Sequence, residues 1–339
     1  MELLAERKLE NGERLTVLHW CSPETAPEKY KNYLLRSFGS ENYKRNFYTI
    51  GAWRAYCSDA AAGVYYPEVT DHFFFAEVNG EIAGRVWFAY SGKSLHGNFG
   101  NVLTEEKFRK RGIMSELMKH CLAEIRRSPA KMLCCATGNK FAAATYVKCG
   151  FQLIYGGETG QLCFIREGSF LSEAKRVFSG SRIAEIRPGR IGDQFDCDKF
   201  LAYVPEVLKR DYPFRAGPAA QVDDFRSAYQ EALGGRAVIF TALNELDECC
   251  GYAFAVLMHG MPVLDFTVHP AYLGDADRLV RTAAQAFQEN FGMLPLYCGF
   301  AADTEKLAAV QASGMQKHTV VPNALFLRKD PADMIVCRF

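Results

Sequence analysis

The chain has 339 residues, 49% hydrophobic and 23% charged, an ordinary globular composition at a length that favours two domains over one core. Its formal net charge of +1 excludes the broad electrostatic field of a nucleic-acid or membrane binder, so any anion recognition must be local. Twelve cysteines lie scattered without C-x-x-C or Cys/His ligand spacing, which argues against a metal and for reduced thiols in a cytoplasmic protein.

The first fifteen residues, MELLAERKLENGERL, are charged throughout and lack the apolar stretch of a secretory leader, and no later apolar run is long enough to span a bilayer. Leu15–Trp20 reads as a strand ended by Ser22-Pro23, and Pro27–Phe38 as a helix. From Gly39 to Thr70 the pattern is irregular and aromatic, as in a core segment or the wall of a pocket. Phe73–Val78 and Ile82–Tyr90 form a hairpin about Asn79-Gly80, and Leu95–Thr104 is a third strand. Lys131–Ala136 is a short apolar strand, Asn139–Lys148 a helix closed at Gly150, and Phe151–Tyr155 and Gln161–Arg166 are the last strands of this half.

Between the third strand and Lys131 lies the stretch whose chemistry can be argued. Ile113, Met114, Leu117, Met118, Cys121, Leu122 and Ile125 recur at the three-and-four spacing of an amphipathic helix. Arg109, Lys110, Arg111 and Gly112 precede it, where the first amides of the helix have no internal partners. Cations, a glycine and the positive end of a helix dipole together make a seat for an anion such as phosphate.

Two motifs carry a resemblance. Arg109-Lys110-Arg111-Gly112-Ile113-Met114 matches an R/Q-x-x-G-x-G/A loop except at its last position, and Asn139, Ala142, Tyr146, Gly150 and Phe151 match N-x-x-A-x-x-x-Y-x-x-x-G-F. In this order, after an antiparallel hairpin, they resemble the GNAT superfamily of N-acyltransferases over residues 1 to about 170. The resemblance implies acyl-coenzyme A binding, with acetyl-CoA the expected donor, and no metal is expected beside it. It assigns Arg109, Lys110, Arg111, Gly112, Ile113, Met114 and Ser115 to the pyrophosphate, Val102, Leu103 and Thr104 to the pantetheine arm through their backbone, and Asn139 to the same arm. Tyr146 is the implied proton donor to the departing thiolate. No general base is evident: Cys134 stands where some relatives carry glutamate, which leaves His96, Asn98, Glu77, Glu68 or an ordered water. Cys134, Cys135 and Cys149 have no activating base beside them in sequence, so direct attack of an amine on the thioester is the simpler route than an acyl-enzyme.

Glu167–Ser181 reads as a linker containing a short helix, after which the order of elements repeats. Arg182–Arg187 is a strand, Gln194–Lys209 a helix, and Ala237–Leu243 with Gly251–His259 a hairpin. Val263–Val268, Asp275–Glu289, Leu296–Phe300 and Thr304–Ala312 then give strand, helix, strand and helix. The chemistry does not repeat. The loop that should carry cations reads Leu273-Gly274-Asp275-Ala276-Asp277-Arg278, with aspartates expected to cap the helix and to repel phosphate, and Val310 stands at the tyrosine position.

The expected architecture is therefore α/β (α+β): two tandem GNAT-like domains, each a mixed, mostly antiparallel sheet flanked by helices. Residues 1–170 form the catalytic, acyl-CoA-binding domain and 171–339 a degenerate copy, a pairing similar to tandem acyltransferases of the enhanced intracellular survival type. The expected activity is acetyl transfer to a small-molecule or peptide amine, with neither nucleic acid nor membrane as partner. Two alternatives stand beside it: a longer-chain acyl-CoA donor, or a non-catalytic acyl-CoA-binding protein. Acceptor identity and oligomeric state are not written in the sequence.

Overall fold

The computed structural model describes residues 1–37, 47–196, 211–212, 215–216, 221–258, 260–301, 304–327 and 330–339. The chain divides into two compact units, Met1–Phe170 and Leu171–Phe339.

The first unit contains β1 (Glu2–Lys8), β2 (Arg14–Cys21), α1 (Glu28–Ser37), α2 (Phe47–Ala61), β3 (Val69–Val78), β4 (Glu81–Ser91) and β5 (His96–Thr104). After a 3-10 turn at Glu106–Phe108 come α3 (Ile113–Arg127), β6 (Met132–Thr137), α4 (Lys140–Lys148), β7 (Gln152–Gly156) and β8 (Gly160–Ile165). Its eight strands are ordered β1-β2-β3-β4-β5-β6-β8-β7, all neighbours antiparallel except β5 with β6. The buried stripe of α3, Ile113, Leu117, Met118, Cys121, Leu122 and Ile125, lies on Val17, Phe74, Val86 and Phe88 from the strands beneath, as the sequence period requires. The other face of the sheet is aromatic: Trp20, Phe73, Phe75 and Trp87 meet Tyr30 and Tyr56 of α1 and α2. The irregular, aromatic segment thus contains a fifteen-residue helix, α2, whose Tyr56 is fully buried.

The second unit contains α5 (Phe170–Val177, starting at the boundary), β9 (Ile183–Pro188), α6 (Gln221–Leu233), β10 (Ala237–Asn244), β11 (Cys249–Met258) and β12 (Met261–Val268). It continues with α7 (Ala276–Phe291), β13 (Tyr297–Ala301), α8 (Thr304–Ala312), β14 (Gln316–Leu327) and β15 (Asp330–Arg338). The sheet order is β14-β15-β13-β12-β11-β10-β9, with β12 and β13 parallel. Read from the far edge, this is the order of the first sheet with β1 removed. The helix expected at Gln194–Lys209 lies largely outside the described residues, while α6, β14 and β15 are elements the sequence reading did not identify.

One strand pair differs between the units. In β4 with β5, Arg85 opposes Leu103 but Trp87 opposes Gly100, so one extra residue bulges from β5 at Asn101–Val102. In β11 with β12 the register runs unbroken from Gly251–Val268 to Met258–Met261.

Candidate active site

The site begins where the two parallel strands part. β5 pairs with β6 only at His96–Met132, Gly97–Leu133 and Asn98–Cys134, after which β5 runs on to Thr104 against β4 and β6 to Thr137 against β8. Among the described residues no strand pairs with β5 on its β6 side beyond Asn98. The backbone of Val102, Leu103 and Thr104 thus borders an open gap, with hydrogen-bonding groups directed along the sheet as an added chain would need.

At the foot of this gap stands the basic loop. Lys110 (φ +62°) and Gly112 (φ +71°) both take left-handed backbone, and Gly112 is the N-cap of α3. The conformation suits glycine, and a Cβ there would meet nothing nearer than Arg7 Nη2 at 4.0 Å, so space stands open over the cap. The amides of Ile113, Met114 and Ser115 form the unpaired first turn of the helix. Arg109 and Lys110 are exposed, and Arg109 Nε donates to the Thr104 carbonyl at 3.3 Å. Arg111 is engaged elsewhere: its guanidinium pairs with Glu13 at 2.5 Å, donates to the Lys107 carbonyl at 2.8 Å and lies over the Phe108 ring. Only its backbone is left to face the gap. Met114 is half-buried and packs against the core. Arg7, which sequence reasoning missed, stands over the loop from the β1 edge and pairs with Glu116 at 3.4 Å.

Asn139 is exposed and caps α4, its Oδ1 accepting from Phe141 N at 2.9 Å and Ala142 N at 3.3 Å. Its carbonyl is therefore committed, and what it offers a ligand is its NH2 group. Helix α4 ends at Lys148 with Cys149 as its C-cap, Gly150 at φ +99° and Phe151 N bonded to the Tyr146 carbonyl, the closing turn foreseen in the sequence. Tyr146 is buried against Phe99 of β5, edge-on at 5.1 Å, and Phe151. Burial, and then Cys135 and Cys149 nearby, push its phenol well above the ordinary value, so it is protonated throughout the physiological range.

The residues weighed as bases are dispersed. Glu77 is held by Lys29 and by the Tyr30 hydroxyl at 2.8 Å near the β3–β4 turn, whereas Glu68 is exposed at the other end of β3. His96 is fully buried, and Asn98 stands at the last β5–β6 pair. Burial raises the Cys149 thiol and holds it protonated. No disulfide joins the described cysteines, and no group of three His, Cys, Asp or Glu side chains among the described residues could hold a metal ion. No described helix is long and apolar enough to cross a membrane.

In the second unit the corresponding gap is closed. β12 pairs with β13 only at Val263–Tyr297, but Lys306 of α8 reaches in, donating to Asp265 Oδ1 at 3.1 Å and the Phe266 carbonyl at 3.4 Å, with its ammonium over the Phe266 and Phe300 rings. Asp275 occupies the N-cap position of α7 but does not cap it. Its carboxylate accepts instead from Ile183 N at 2.7 Å, and Asp277 pairs with Arg281 at 3.0 Å.

Residues 34–151 match the family model described as the acetyltransferase (GNAT) family, an acyltransferase domain within the first unit. No curated protein matches the chain. Among solved structures it is similar to a ribosomal-protein-S5-alanine acetyltransferase from Vibrio fischeri at 11% identity and TM-score 0.39, covering 45% of this chain and 91% of that one. A phosphinothricin acetyltransferase from Sinorhizobium meliloti in complex with AcCoA matches at 13% and 0.39, covering 46% and 86%. RimJ from Mycobacterium smegmatis in complex with CoA-disulfide matches at 17% and 0.36, covering 45% and 80%.

Proposed function

We propose that this chain, with a GNAT-family acetyltransferase domain at residues 34–151, is an acetyl-CoA-dependent N-acetyltransferase whose single site lies in the gap between β5 and β6. The carrying observation is the conjunction along that gap: exposed Arg109 and Lys110 with the α3 N-terminus at one end, a bare strand edge at Val102–Thr104, and buried Tyr146 beyond. These residues fit a donor with phosphates at one end of an extended amide arm and a thioester at the other.

The loop from Arg109 to Ser115 would hold the phosphates through backbone amides and two cations, and the edge of β5 would align the arm. Tyr146 would donate a hydrogen bond to the sulfur as the amine displaces it. A phenol held this far above a thiol's pKa stabilises the thiolate by hydrogen bonding more readily than by complete proton transfer. The acceptor is a primary amine that attacks directly, in keeping with thiols near the site that burial keeps protonated. The protein is read as cytoplasmic, and the second unit as a copy without coenzyme.

The test is thiol release from acetyl-CoA across a panel of small-molecule and peptide amines, repeated with acyl-CoAs of graded length. Amine-dependent release favouring the acetyl donor is expected, and coenzyme binding with no release against any amine would overturn the enzymatic reading. Tyr146→Phe should lower kcat by about 100-fold with little change in KM for acetyl-CoA. Unchanged turnover would remove Tyr146 from the mechanism.

A further inference from the structure

Two asparagines border the gap, and each has a buried atom without a hydrogen-bond partner: Oδ1 of Asn98 and Nδ2 of Asn101. Native proteins leave few such groups, and a pair three residues apart at the mouth of a cleft calls for a ligand that completes both. Residues three apart in a regular strand would face opposite ways, and the bulge at Asn101–Val102 brings these two to one face. Asn98 opposes Ala89, which lies on the same side of β4 as Trp87 and Arg85, and Asn101 is bonded to Arg85. Phe99, between them, faces the other way onto Tyr146.

Asn101 is the bulged residue, with φ +52°, and its amide orientation is fixed chemically. Arg85 Nε donates to its Oδ1 at 2.7 Å, and because arginine has donors only, the carbonyl end must face Arg85 and the NH2 must face away. Arg85 is only 1% exposed and lies over the Tyr33 ring at 5.1 Å, while the Tyr33 hydroxyl donates to Glu105 at 2.6 Å. A buried cation on the carbonyl end of an amide polarises it and strengthens its N–H groups as donors. Tyr33 and Glu105 also line a cavity of about 830 Å³ between α1, the β3–β4 turn and the Glu105–Lys107 turn.

We infer that, given the acetyltransferase reading above, Asn101 Nδ2 is a catalytic donor to the thioester carbonyl oxygen and Asn98 Oδ1 accepts an N–H of the attacking amine. The polarity is that of the tetrahedral adduct, which carries an oxyanion and a nitrogen richer in N–H than the product amide. The amine nitrogen bonds to the acetyl carbon while the C=O π pair moves onto oxygen, toward Asn101. Collapse of that adduct breaks the C–S bond, the electron pair leaves on sulfur beside Tyr146, and the nitrogen's surplus proton passes to solvent. Asn98 orients the nucleophile and takes no proton. Arg85 acts through Asn101 and is a positioning residue.

The experiment uses the full-length protein, acetyl-CoA and hydroxylamine as a surrogate nucleophile, with coenzyme affinity measured separately by calorimetry. Asn101→Asp keeps an acceptor for Arg85 and tolerates the left-handed backbone, while it replaces the N–H donor by a carboxylate oxygen that would repel the oxyanion. It should slow thiol release roughly 100-fold while acetyl-CoA affinity stays within about twofold. Asn98→Ala should raise KM for hydroxylamine more than it lowers kcat. Arg85→Lys should lower kcat and leave KM for acetyl-CoA, a split that a loosened fold would not give. Thiol release by Asn101→Asp within about twofold of wild type would overturn the assignment. A wild-type protein that binds no acetyl-CoA would overturn the functional reading itself, whereas normal binding with no effect of either asparagine overturns this inference alone.

Discussion

Arg109 and Lys110 are the two loop cations whose side chains stay exposed beside the α3 N-terminus, whereas Arg111 is spent on Glu13 and Lys107. Replacing Arg109 and Lys110 together by alanine should therefore weaken acetyl-CoA binding by at least tenfold, an effect that shrinks as salt is raised. Equal loss from Arg111→Ala at unchanged stability would show that the Glu13 pair gives way to the coenzyme. A second residue-scale consequence lies far from the loop. His72 is buried against Phe88, bonded to His19 at 3.0 Å, and burial, with His19 next, lowers its pKa to about 3. Below pH 6.5 the unfolded chain takes a proton that the folded chain refuses, so stability is intact above 6.5 and is lost as pH falls toward 3. His72 contributes up to about 1.4 kcal/mol per pH unit to that loss. Urea midpoints between pH 7 and 5 should fall more steeply in wild type than in His72→Gln, and parallel profiles would refute the attribution.

At the scale of elements, the parallel seam of β5 with β6 is three residue pairs long, and Gly97 sits in its middle. A Cβ at Gly97 would lie 1.9 Å from the Ala89 carbonyl oxygen, a backbone atom that cannot step aside. Gly97→Ala should cost about 3 kcal/mol or more and widen the gap, read as a lowered denaturant midpoint together with weakened coenzyme affinity. A midpoint unchanged by the substitution would mean the seam is looser than drawn. Such seams explain what was legible in the sequence. The α3 stripe, the Asn79-Gly80 turn and the Gly150 closure are written within a few residues of where they act, and they stand as read. β1 was missed because an exposed, charged edge strand has no apolar alternation, and its reason for being extended is β2. β14 is exposed on both faces from Gln316 to Ala324 and carries no alternation either. At the proposed site, Arg109 to Ser115, Asn139 and Tyr146 are the residues that the motifs name. Asn101 is not among them, since a bulge is a property of two strands in register, nor is Arg85, whose meaning depends on that bulge. Arg111's engagement with Glu13, 98 residues upstream, was equally out of local reach.

For the whole molecule, the two sheets share a strand order and both part their parallel strands, but among the described residues the first has exposed Arg109 and Lys110 at the foot of its gap where the second has Asp275 and Asp277. Lys306 closes the second gap from within, and the second loop has turned its carboxylates to Ile183 and Arg281. Titration of the full chain with acetyl-CoA should accordingly give one site per polypeptide, abolished by charge reversal at Arg109 and Lys110 and indifferent to charge reversal at Asp277. Two equivalents bound would contradict the picture of a closed second unit.

The unbroken β11–β12 ladder also bears on how such a difference could arise or be undone. Any amino acid can be exchanged for another by substitution, but the first unit's extra residue at Asn101–Val102 is a matter of chain length between two fixed ends. Side-chain replacement in the second unit could remove Lys306 or supply cations at Asp275 and Asp277, yet its strand would still be one residue short of a bulge. The two halves thus differ at this strand pair in chain length, a difference that side-chain replacement alone does not remove. Directed libraries confined to substitutions should leave the second unit without coenzyme, whereas those admitting a single inserted residue within Asp265–Val268 have access to the missing geometry.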